Sequence, residues 1–183
     1  MIDMKHQIAA RLHGQFEEMG FAGPGVEALR AGADVSLRTL YKYFPSREAM
    51  VVGALQHRDR AYADWIGDGA ENGAAHVVHI LQRLSDWLFG ISNCGCLFRN
   101  ALSAYPDSAP IRAAVEVHKS GVRAQFHRRL VDVAPHCDAD ALADQLFVLH
   151  EGLTEAARMI GPERASRQTL RTAGQILAAA GIK

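Results

Sequence analysis

Eight consecutive residues, Ser36-Leu37-Arg38-Thr39-Leu40-Tyr41-Lys42-Tyr43, bring together two aliphatic hydroxyls, two cations and two phenol rings. Ser36 has the chemistry of a helix N-cap, because its hydroxyl can accept a bond from an otherwise orphaned amide of the first turn. With Leu40 turned inward, the helix that follows presents Leu37, Arg38, Thr39, Tyr41, Lys42 and Tyr43. Hydroxyls and cations on a short exposed helix can bond base edges and phosphates, and rings and methyls can pack on them, as recognition in a DNA major groove requires.

Other residues could do chemistry but lack the partners for it. Cys94 and Cys96 form a C-x-C pair without nearby Cys or His at metal-ligand spacing. They read as small core thiols at a helix start, with a thiol switch or soft-metal site as the alternative. Cys137, beside His136, reads as a surface-loop residue. His76 and His79 lie one turn apart but have no third ligand, so no metal is expected. No Ser-His-Asp order, glycine-rich phosphate loop or paired carboxylates stand out, so neither an enzyme nor a cofactor is expected. A bundle enzyme would need a cluster such as His118 with Glu151.

The elements that must carry the exposed helix are themselves helical. Ala, Leu, Arg, Gln and Glu dominate, and alternation of period two is scarce. Glycine and proline divide the chain: Gly20 to Gly25, Gly32 with Asp34, Pro45, Gly67 to Gly73, Ser92 to Gly95, Pro106, Pro135 and Gly161-Pro162. Between these breaks lie about nine helices, making an all-α chain. Three are short and precede Pro45, and the rest are mostly long. The expected division is therefore a helix-turn-helix head at residues 1–45 and a larger bundle at 46–183.

Hydrophobic residues make up 49% and charged residues 22% of the 183, enough for a sizeable core. No apolar run reaches the roughly 18 residues of a membrane span. The mixed N-terminus, with Asp3, Lys5 and His6, has no signal-peptide pattern. Three cysteines, an odd and small number, fit a reducing compartment. A cytoplasmic protein without a membrane partner is expected. Cations and anions balance at 20 each, so global charge does not point to nucleic acid.

The stretch from Val26 to Phe44 has the length and rhythm of a helix-turn-helix, with Val26 and Leu29 on one helix, a tight turn, and Val35 and Leu40 packing the second across it. Gly20-Phe21, Val35-Ser36, Thr39-Leu40-Tyr41-x-Tyr43-Phe44 and Ser46-Arg47-Glu48-Ala49 together resemble the DNA-binding signature of the TetR family of bacterial regulators. The matching block runs from about Ile8 to Leu55. Gly95-Cys96-Leu97-Phe98-x-Asn100-Ala101 and Tyr105-Pro106 resemble a subset of these regulators. The resemblance implies that Tyr41 and Lys42 contact phosphates or base edges. Arg38 and Thr39 would face the groove, Tyr43 the backbone, and Arg47 a phosphate near a helix N-terminus.

The chain departs from that pattern in four places. Pro24-Gly25 stand where the family has a capping Thr or Ser. Asp34 replaces the turn glycine, which an aspartate tolerates better than most residues. Arg11 and Arg30 replace small residues. Residues 1–50 carry six cations and six anions, a neutral head of modest DNA affinity.

The resemblance also implies a homodimer on a pseudo-palindromic operator, controlled by a small effector. For the dimer, the apolar stripes Leu142, Leu146, Leu149, Leu153 and Leu170, Ala173, Gly174, Leu177 are expected to pair with their symmetry mates as a four-helix interface. For the effector, a mostly apolar pocket is expected from Trp65, Trp87, Phe98, His118, Phe126 and His150, aromatic residues that otherwise read as core and histidines that otherwise read as satisfied polar groups. The residues thus point to a ligand-released repressor. The alternative is a ligand- or partner-binding protein of the same fold that has lost specific DNA binding, which the neutral head and missing cap would suit.

Overall fold

The computed structural model describes residues 3–69, 72–91 and 95–183; Cys94 lies outside them. Among the described residues there are nine α-helices and no strand. In chain order they are α1 (Met4–Met19), α2 (Val26–Gly32), α3 (Leu37–Tyr43), α4 (Arg47–Ile66), α5 (Gly73–Gly90), α6 (Leu97–Ala104), α7 (Ala109–Val133), α8 (Ala139–Ile160) and α9 (Pro162–Ala179). None is long and apolar enough to cross a membrane.

Local chemistry explains most boundaries. Asp3 accepts from the Lys5 amide at the start of α1, Ser36 from the Thr39 amide before α3, and Asp138 from the Ala141 amide before α8. Gly161, at φ +82°, ends α8 and is followed by Pro162 at the first position of α9, where its missing N–H costs nothing.

The chain forms two compact units. The first comprises Met1–Ala63 and Cys96–His118. Its core joins Ile8, Leu12 and Phe16 of α1 to Leu29, Leu40, Phe44, Met50 and Leu55, and extends to Leu97, Phe98, Ile111 and Val115. The unit that contains the head is thus larger than residues 1–45, because the apolar faces of α4, α6 and the start of α7 close the same core.

The second unit comprises Asp64–Gly95 and Lys119–Lys183. In it α8 and α9 pack on each other and on α5. Ser85 of α5 donates to Ser166 of α9 at 2.7 Å in the buried interface. Leu142, Leu146, Leu153, Ala173 and Leu177 are buried within one protomer, at 8% exposure or less. These five side chains belong to the core of the second unit. Leu149 and Leu170 are half-buried and Gly174 is exposed. The outward side of α8 instead shows Val148 at 67% and Met159 at 85% exposure.

Candidate nucleic-acid interface

The turn between α2 and α3 is held from outside itself. Asp34 adopts φ +52°, the left-handed region that a short polar side chain tolerates. From α1, Arg11 donates to the Ala33 carbonyl at 2.6 Å and stands 3.4 Å from the Asp34 carboxylate. Gln15 donates to the Leu29 carbonyl at 3.2 Å. Arg30 reaches the Val35 carbonyl at 3.4 Å and pairs with Glu27 at 2.9 Å. The two arginines that sequence marks as extra cations are therefore engaged in fixing the turn. Arg11 also offsets the charge of Asp34.

Beyond the turn, Ser36 caps α3, and its hydroxyl also lies 2.8 Å from that of Thr39. Leu40 is fully buried and fixes the roll of the helix. That roll leaves Ser36, Leu37, Arg38, Tyr41 and Lys42 exposed and Thr39 and Tyr43 half-buried. Arg38 and Lys42 stand one turn apart on a helix without an anion. The Lys42 ammonium lies 5.4 Å from the centre of the Tyr43 ring. Leu37 and Tyr41 are 39% and 41% exposed on this face.

Arg47 has a different place. Its Nε donates to the Tyr105 hydroxyl at 2.7 Å, Nη1 to the Pro24 carbonyl at 2.6 Å and Nη2 to the Phe21 carbonyl at 2.6 Å. All three guanidinium nitrogens are engaged within the chain, where the family resemblance implies a phosphate contact. Sequence gives no sign of this, since Tyr105 lies 58 residues away.

Two half-buried imidazoles of the first unit are held below their ordinary range. Burial lowers the His13 imidazole to about 4 against the opposing pull of Glu17, with Arg58 and His57 lowering it further. Its ring lies 5.5 Å from that of His57. His57 is lowered too, by burial first and then by Arg60, His6 and Arg58.

Residues 9–54 match the family model described as bacterial regulatory proteins, tetR family. That match spans most of α1, all of α2 and α3 and the first part of α4, a quarter of the chain. No curated protein matches the chain in sequence. Among solved structures it is similar to a TetR-family transcriptional regulator from Streptomyces coelicolor, with TM-score 0.85 and 23% identity over 97% of this chain and 95% of that one. It is also similar to NemR of Escherichia coli in its reduced form, with TM-score 0.80 and 22% identity over 96% and 97%. A TetR transcription regulator from Haloarcula marismortui superposes with TM-score 0.84 at 15% identity, over the whole of both chains. At these identities the solved structures show the fold. The tetR match at residues 9–54 covers the helix-turn-helix itself.

The residues expected to line an effector pocket fall in both units. In the first, His118 stacks on Phe98 with ring centres 3.7 Å apart and planes within 3°, and its Nδ1 meets Asp59 at 2.7 Å. In the second, Phe126 meets His150 edge-on at 6.4 Å. Trp65 and Trp87 also meet edge-on, at 5.7 Å. Trp65 donates to the Arg83 carbonyl at 2.8 Å, while the Arg83 guanidinium covers the Trp65 ring at 3.8 Å. That clasp occupies both the ring face and the indole N–H of Trp65.

Sequence reading missed the partners of these groups. Lys119 donates to both oxygens of Glu151, at 2.7 and 2.6 Å, and His150 lies 3.2 Å from the same carboxylate. Burial alone would raise Glu151; the bonds from His150 and Lys119, with the Lys119 charge, outweigh it and hold the carboxyl at about 2. The 32-residue separation of Lys119 and Glu151 gives no local signal. His79, half of the candidate metal pair, lies 2.9 Å from the Ile66 carbonyl.

Proposed function

We propose that this protein is a DNA-binding transcriptional regulator, a repressor whose hold on a pseudo-palindromic operator is released by a small, mostly apolar ligand. The observation that carries the reading is the free face of α3: Arg38 and Lys42 one turn apart with Leu37 and Tyr41 beside them, on a capped helix without an anion. Residues 1–45 form the DNA-reading domain and residues 46–183 the ligand-binding and dimerising part. Such a regulator works in the cytoplasm and is not an enzyme.

Two half-sites one helical turn apart need two heads, hence a homodimer. The outward side of α8 suits that role, with Val148, Gly152, Ala156 and Met159 at spacings of four and three. Gly152 and Ala156 allow close helix approach. The ligand site lies among Trp87, Phe126 and His150, where apolar walls meet a few polar groups, the Lys119–Glu151 pair among them. A His150→Trp variant fills that space, so it should bind operator but ignore the effector. An unchanged effector response would move the site elsewhere.

The deciding experiment is a gel shift with the DNA flanking the protein's own gene. Sequence-specific retardation is expected. A second reading, a regulator-like protein without specific DNA binding, is favoured by the inward-turned Arg47 and the uncapped Gly25. Equal affinity for that DNA and an unrelated fragment would establish it instead.

A further inference from the structure

The loop before α2 is anchored by the buried side chains of Phe21, stacked on Phe16 at 5.0 Å, and Pro24, while the glycines between and beside them contribute no side chain. Gly25, the N-cap of α2, makes no side-chain cap bond. Gly20 sits at φ +72°, and a Cβ on Gly23 would lie 2.7 Å from the Met19 carbonyl oxygen. A cavity of about 320 Å³ lies against the loop, with Arg47, Ala104 and Tyr105 on its other wall. Apolar packing therefore does not pin the loop on that side. The Phe21 and Pro24 carbonyls both accept from Arg47, and the Gly25 carbonyl accepts from the Leu29 amide of α2.

A guanidinium is a planar fork whose orientation is set once Nε is fixed. Here the Tyr105 hydroxyl, at the end of α6, accepts from Nε. The adjacent residue Glu48 accepts from Ser108, the residue just before α7, so the first turn of α4 is tied twice to the same corner. The corner follows α6, whose Phe98 stacks on His118.

We propose that Tyr105, acting through Arg47, is a positioning residue for DNA binding. Its hydroxyl orients the guanidinium, the guanidinium holds the loop at Phe21 and Pro24, and the loop sets where α2 and hence α3 stand. Arg47 thereby does from α4 what a side-chain cap at Gly25 would otherwise do. A displacement of α6 would reach the loop through this hydroxyl as well as through the shared core. The inference rests on the DNA-binding reading above.

Four proteins test it: the wild type, Tyr105→Phe, Arg47→Gln and the double variant, each as the full chain. Binding to a fragment flanking the protein's own gene is measured across salt concentrations, and native-state amide exchange without DNA. Tyr105→Phe should weaken specific binding about three- to tenfold, the net size of one hydrogen bond. Amides of residues 20–33 should exchange faster. The salt slope should stay unchanged in both variants, and the double variant should be no weaker than Arg47→Gln. If Arg47 touched a phosphate instead, Arg47→Gln would lower the slope by about one unit while Tyr105→Phe did nothing, and the proposal would fall. It would fall equally if both variants melted earlier yet bound the fragment as tightly as wild type. A wild type without specific binding would instead overturn the DNA-binding reading beneath it, an outcome seen before any variant is compared.

Discussion

Lys42 and Arg38 share one face of α3 but should fail differently when removed. A lysine contributes a point charge, so Lys42→Ala should weaken binding to all sequences and lower the salt slope by about one unit. Arg38 carries a bidentate fork, and Arg38→Ala should change which bases are preferred. Anisotropy titrations of operator and scrambled fragments distinguish the two; wild-type affinity in Lys42→Ala would remove the centre of the DNA reading. Behind the head, His13 makes folding sensitive to pH. Its folded pKa of about 4 lies below the ordinary 6.5, so between those values the unfolded chain binds a proton that the native one does not. Stability therefore rises with pH across that window and is lost as pH falls from 6.5 toward 4. His13→Gln, which cannot titrate, should flatten the dependence of the urea midpoint on pH between 7 and 4.5; an unaltered slope would assign the effect to other groups. At this scale the sequence was informative about residue types and silent about direction. Arg38 and Lys42 follow from their spacing around Leu40. Arg47 could not be placed, because its orientation is set by a hydroxyl 58 residues away and by two backbone carbonyls.

Helix ends were legible wherever one residue's own chemistry decides them: Asp138 before α8, Gly161 and Pro162 after it. Helix faces were less so. An apolar stripe at spacings of three and four reports that a face is covered, not by what. For α8 the leucines at 142, 146 and 153 face the protomer's own core, and the residues offered outward are Val148 and Met159. The two faces should respond oppositely to mutation. Leu153→Ala leaves a cavity in a fully buried position and should cost about 2–5 kcal/mol of protomer stability. Val148→Asp places a charge in the proposed interface and should convert dimer to monomer at micromolar concentration with little loss of helix content. Light scattering together with circular dichroism checks both. A Val148→Asp protein that stays dimeric would exclude this side of α8 as the contact.

At the scale of the whole chain, charge balance conceals local arrangement. The head is formally neutral, yet two of its cations, Arg11 and Arg30, serve the turn, and Arg47 serves the loop, while Arg38 and Lys42 stand clear of any carboxylate on their own helix. A neutral sum is thus compatible with a positive strip, because Coulomb interaction with DNA depends on where charges stand. The division into two units was not legible either. Of its three crossings, the one at Gly95–Cys96 falls at a glycine break, but the other two fall inside α4 and α7, because they reflect which core each helix face helps to close.

The aromatic residues are sorted along the same division. Both tryptophans, Trp65 and Trp87, belong to the second unit, and all four tyrosines, at 41, 43, 62 and 105, to the first. The protein is in effect labelled twice by its own composition. Indole emission excited at the red edge reports the half built on α5, α8 and α9. Phenol signals report the half that carries the helix-turn-helix. Arg83 lies over the Trp65 ring, and the two indoles meet edge to face, so loss of that arrangement should shift the indole emission sharply. Melting followed at both chromophores then measures how strongly the halves are coupled: coincident midpoints mean one cooperative transition, and an earlier phenol transition means the head side loosens first. An effector held near Trp87 should move the indole signal at once, and the phenol signal only if the message reaches the DNA-reading half. One cuvette thereby separates binding from transmission without an added dye.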